Sequence, residues 1–74
     1  MIDYRPFIKR DTEIRFGKPC IIDTRIIVFD VPGWLAAGID FNDIVTDFPE
    51  STIQDIKACL AYAADMEHKL KLVS

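Results

Sequence analysis

His68, Cys20, Cys59, Ser51 and Thr24 are the side chains that offer nucleophilic or acid–base chemistry, and their spacing activates none of them. A serine, threonine or cysteine nucleophile needs a positioned base, and no recognisable spacing supplies one here. His68 stands beside Lys69 near the end of a helical pattern, where positive charge complements a helix C-terminus. Cys20 and Cys59 lack a Cys-x-x-Cys spacing and a neighbouring histidine. They read as two small buried hydrophobes in a reducing, cytoplasmic setting. Asp43 and Asp47 share a helical face at i, i+4, the usual place for solvated carboxylates. There is no phosphate loop, dinucleotide fingerprint or zinc spacing. The expectation is a protein with no enzymatic activity, catalytic residue, metal or cofactor.

Recognition of a polyanion is the chemistry with more support. Residues 1–25 carry six basic and four acidic groups, a net +2. Residues 26–74 carry three basic and eight acidic groups, a net −5. A nucleic acid would meet the first segment, through Arg5, Lys9, Arg10, Arg15 and Lys18. A basic protein would meet the second. Near residue 50, Ser51, Gln54 and Lys57 open a helical pattern. A recognition helix uses its first turns, with Gln reading adenine and Lys meeting phosphate or guanine. Glu50 and Asp55 oppose such contact.

These groups must be positioned by a single small domain. Gly17 and Pro19 predict a turn into a strand at Cys20-Ile21-Ile22, an apolar, partly β-branched run. Phe7–Arg10 and Glu13–Phe16, around a turn at Asp11-Thr12, are the other candidate strands of a hairpin or meander. Asp30 predicts an N-cap with Pro32 in the first turn, giving a helix over 30–37 that Gly38 ends. Asp40 and Asp43 form a capping box for a short second helix stopped by Pro49. Ser51 and Gln54 predict a second capping box, opening a long helix over about 52–70. Ile53, Ile56, Leu60 and Ala63 form its primary apolar stripe, and Cys59, Tyr62, Met66 and Leu70 an adjacent one. The expected fold is mostly α, with a small N-terminal β-hairpin or meander and a three-helix, helix-turn-helix-like domain. Residues 1–27 would be an extended basic arm and 28–74 a three-helix bundle.

Half of the residues are hydrophobic, more than so short a chain buries easily. A homodimer follows as the expectation, with Cys59, Tyr62, Ala63, Met66 and Leu70 at its interface. No run approaches the ~20 apolar residues of a membrane span, and no signal-peptide core is present.

Residues 16–65 resemble the bacterial and archaeal family catalogued as domain of unknown function 433. Gly17, Lys18, Pro19, Ile21, Thr24, Arg25, Ile26 and Val28 match its first block. Trp34, Leu35, Gly38, Ile44, Asp47, Pro49, Ile56, Leu60, Tyr62 and Ala63 match the remainder. The resemblance implies a helix-turn-helix-like domain, often dimeric, with a VapB-type antitoxin role beside a PIN-like toxin protein. It brings no catalytic residue. Gly17, Pro19, Thr24, Arg25 and Asp47 stand out as its structural residues, and Arg25 is expected to pair with Asp47. Asp23 occupies a position where the family usually has Gly, so positive φ is expected there. The chain ends soon after the third helix, leaving little room for a toxin-wrapping tail. The functional expectation is an antitoxin-like protein that binds a toxin and operator DNA as a dimer; the alternative is a dimeric interaction module without DNA binding.

Overall fold

The structure is a computed structural model that describes residues 3–10, 13 and 15–73, the side chains of 15 and 70–73 excepted. The turn expected at Asp11-Thr12 therefore lies outside the described residues. A two-stranded antiparallel sheet joins β1 (Ile8–Lys9) to β2 (Cys20–Ile21), with Ile8 opposite Ile21 and Lys9 opposite Cys20. Three helices follow: α1 (Asp30–Ala36), α2 (Phe41–Asp47) and α3 (Ile53–Val73). In place of a strand through Phe16, residues Arg15–Gly17 form a 3-10 turn.

β2 is short but central. Cys20 and Ile21 are both buried, so apolar groups cover both faces of the strand. On one side it pairs with β1, and on the other Cys20 bridges to Ile27. The Pro19 carbonyl accepts from the Val28 amide at 2.9 Å. Between them the chain reverses at Asp23, whose φ is +62°, as expected for a position that suits glycine. Thr24 clamps this reversal. Its Oγ1 donates to the Ile21 carbonyl at 3.0 Å and accepts from the Ile26 amide at 3.1 Å. The turn thus satisfies its own backbone through one side chain.

The helix ends follow local rules, with two changes from expectation. α2 carries the Asp40–Asp43 capping box, its amides bonded reciprocally at 2.9 and 3.2 Å. Gly38, at φ +94°, ends α1, and the Ile39 amide returns to the Trp34 carbonyl at 3.1 Å. Asp30, however, is the first residue of α1 and not its cap; Phe29 precedes the helix without a side-chain cap. The Asp30 and Val31 amides instead reach the carbonyls of Ile27 and Val28, so the entering turn supplies the acceptors. At α3 the box is shifted by one residue. The Thr52 amide donates to Asp55 at 2.9 Å, and the Asp55 amide to Thr52 Oγ1 at 3.2 Å. Ser51 and Gln54 do not form it.

One core unites all these pieces. Ile21, Ile26, Val28, Val31, Ile44, Ile56, Cys59 and Tyr62 are buried together. Tyr4 and Ile8 pack against it, as do Trp34 and Phe48, whose rings stack at 5.6 Å. Among the described residues before 28, Tyr4, Ile8, Ile21 and Ile26 therefore belong to the folded body and not to an appended arm. Cys59 and Tyr62, expected at an interface, lie inside this single chain. The centre of the α3 stripe runs along Ile56, Cys59 and Tyr62, and Ile53 is left exposed at its edge. Of the other expected interface residues, Ala63 and Met66 are half-buried, and the side chain of Leu70 is outside the described set.

Candidate functional site

Aromatic packing fixes the N-terminal segment. The Tyr4 ring meets Tyr62 edge-on at 5.1 Å, and Phe29 meets the same ring at 5.7 Å. The Tyr4 hydroxyl donates to Asp65, which also pairs with Lys69 at 3.2 Å, one helical turn on. The hydrogen bond to Asp65 is the main cause that raises the Tyr4 pKa above the usual phenol range. The same bond, and then Lys69, hold the Asp65 carboxyl below the usual carboxylate range. Nothing in the pattern of residues 1–6 announced this latch beyond the presence of a tyrosine.

The latch makes a testable pH dependence. Asp65 is depressed, so its contribution to stability is present above pH ~4 and is lost as pH falls through its folded value. Tyr4 is raised, so its contribution is present below pH ~10 and is lost as pH rises through its folded value. A Tyr4→Phe variant should melt slightly below the parent between those limits. The difference should vanish in acid and in strong base. A difference in melting temperature that is flat across the whole range would refute the latch.

The expected nucleic-acid contacts divide into used and available groups. Arg5 is committed to Asp3, with Nε–Oδ1 at 2.9 Å and a second bond at 3.0 Å. That pair is exposed and lies within one short turn. Arg10 donates its Nε to the Gly17 carbonyl at 3.0 Å. Lys9 and Lys18 are exposed, and the Arg15 side chain falls outside the described residues. Ser51 must be withdrawn from the contact set. It is buried, and its hydroxyl donates to the Phe48 carbonyl at 2.7 Å. Gln54 and Lys57 remain exposed on the first turns of α3. Tyr4 docks at Tyr62, about 12 Å further along the helix axis than Gln54.

An acidic face is the clearest electrostatic feature. Asp40, Asp43, Asp47 and Glu50 are all exposed, from the start of α2 to the turn before α3. Asp40 and Asp43 stand at the N-terminal end of α2, where their carboxylates accept from each other's backbone amides. Asp47 has the opposite situation. It is the last residue of α2, where the helix end is negative and no basic residue stands in the last turn. The expected Arg25–Asp47 pair is not formed: both side chains are exposed, and no ion pair joins them. Arg25 needs no internal partner because water solvates it. Pro19 is buried and Gly17 has φ +78°, so those two residues do shape the turn into β2.

The remaining reactive groups are quiet. Burial pushes the Cys59 thiol up to about 12, so it stays protonated at neutral pH. The Cys20 thiol is buried and directed to the Lys18 carbonyl at 3.4 Å. His68 is exposed on α3. Among the described residues no cluster of metal-ligating side chains occurs, and no helix is long and apolar enough to cross a membrane.

The family model described as "Protein of unknown function (DUF433)" matches residues 8–63, from β1 to the middle of α3. The chain belongs to that family. No curated protein and no solved structure matches it. Within the DUF433 match lie the Thr24 clamp, the acidic face and the exposed start of α3, whereas Tyr4 and Asp65 lie outside it.

Proposed function

We propose that this DUF433 chain is an antitoxin-like protein whose acidic α2 face binds a basic partner protein. A PIN-like toxin is the partner class implied by the family resemblance. The supporting observation is Asp47: an exposed carboxylate at the unfavourable end of α2, continuous with Glu50, with no cation partner among the described residues. A protein that keeps such a charge gains from a cationic partner that arrives from outside. In the same reading a homodimer, cytoplasmic, places Lys9, Arg10, Lys18, Gln54 and Lys57 on operator DNA, with α2, the Pro49–Thr52 turn and α3 in the proportions of a helix-turn-helix. Ala63, Met66 and the exposed Ile53 supply apolar surface for the second copy.

A second reading is a dimeric interaction module without DNA binding. The burial of Ser51 and the Asp3–Arg5 pair favour it, because each removes a contact that DNA would use. The deciding experiment is co-purification with the product of the adjacent gene, followed by titration of the pair onto the shared upstream DNA. A stable complex that is lost in an Asp47→Lys, Glu50→Lys double variant, together with salt-sensitive DNA retention, is the expected result. Failure of the parent protein to hold that partner would overturn the antitoxin reading. Partner binding without DNA retention would leave the interaction module.

A further inference from the structure

The turn before β2 holds an aromatic ring out in water. Phe16 is 97% exposed, against 50% for Phe29, 38% for Ile39 and 40% for Ile53. Its backbone is left-handed, at φ 57° and ψ 34°, and Gly17 beside it has φ +78°. A bulky residue in that region is a genuine outlier, since its Cβ is crowded there. The conformation gains the monomer no burial. Arg10 fixes the turn through its bond to the Gly17 carbonyl, which places a guanidinium at the base of the same projection. Residues 9–18 include Lys9, Arg10, Arg15 and Lys18 against Asp11 and Glu13.

We infer that Phe16 is a stacking residue for nucleic acid, taking the face of an unstacked base while Arg10 and Lys18 meet the flanking phosphates. An exposed aromatic ring on a turn held by Arg10 and followed by the exposed Lys18 offers the two components that a nucleic acid strand needs, a partner for a π face and cations for a phosphate chain. In a duplex the same ring acts as a wedge at a base step. A protein pocket suits it less, because anchors for protein pockets cluster with other apolar groups and Phe16 is neither in the buried cluster nor among the residues packed against it. The inference rests on the DNA-binding part of the proposal above and names the contact by which bases are engaged.

The test uses the full chain with two probes, a short fluorescein-labelled oligothymidine and a duplex carrying the DNA upstream of the gene. Affinities are measured for the parent, Phe16→Leu, Phe16→Tyr and Lys18→Ala over a series of salt concentrations. Phe16→Leu keeps apolar bulk without the π face, and should weaken binding by roughly 5- to 100-fold with an unchanged salt slope. Phe16→Tyr should bind as the parent does. Lys18→Ala should lower the salt slope by about one phosphate contact. Loss on oligothymidine as well as on the duplex identifies single-strand stacking, and loss on the duplex alone identifies the wedge. Equal affinities of Phe16→Leu and the parent would overturn the stacking role and leave DNA binding standing. Absence of binding by the parent to either probe at low salt would overturn the DNA reading itself. A Phe16→Leu variant that binds both probes normally but loses the co-purifying protein would assign the ring to a protein pocket and overturn the inference. Thermal unfolding of the variants controls for folding, and full exposure of the ring predicts little change.

Discussion

An Ile56→Ala variant should lose about 2–5 kcal/mol of stability, the range for truncating a buried aliphatic side chain to alanine. Ile56 is fully buried and belongs to the cluster that joins β2, α1, α2 and α3. A domain of this size has a total stability of only about 4–11 kcal/mol. The loss is therefore a large share of the whole, and the melting temperature should fall by roughly 10–30 °C. Ile53 provides the comparison. It is one helical turn away in sequence but 40% exposed, so Ile53→Ala should cost about 0.5 kcal/mol or less. Chemical denaturation of the two variants measures both numbers. Equal losses would mean that the α3 stripe is centred elsewhere.

Tyr62→Ala has the second large effect, about 3–5 kcal/mol by analogy with other buried aromatic truncations. The ring is 8% exposed and receives Tyr4 on one side and Phe29 on another. Its removal frees the N-terminal segment and the entry to α1 together. Tyr62→Phe keeps the ring and should retain most of the stability. The pair also separates a core role from an interface role. A core residue lowers the melting temperature by the same amount at any protein concentration, whereas an interface residue makes the loss concentration-dependent. A drop that disappears in concentrated solution would return Tyr62 to a subunit interface.

Local chemistry was legible wherever a residue type has one strong backbone preference. The Asp40–Asp43 box and the Gly38 terminus follow from such preferences, whereas the positive φ of Asp23 was expected only through the glycine that the resembled family carries at that position. The box of α3 was displaced by one position because Ser51-x-x-Gln54 and Thr52-x-x-Asp55 fit the same rule. Burial decided between them. Ser51 is drawn into the interior by the turn, and its hydroxyl is spent on Phe48. The interface assignment of Cys59 and Tyr62 failed for a related reason. A broad apolar face on α3 fixes how much must be covered, and not which side β2 and Tyr4 will cover.

The amino-acid sequence by itself determined that a small sheet precedes three helices, where α2 starts and α1 stops, and that charge is segregated along the chain. Those properties depend on neighbours within a few residues. The tertiary structure alone decided that Tyr4 closes onto Asp65, that Arg25 and Asp47 stay apart in solvent, and that Phe16 projects from the turn before β2. Each of these is set by the relative placement of distant segments, through packing and solvation that act across the whole core and leave no trace in local spacing.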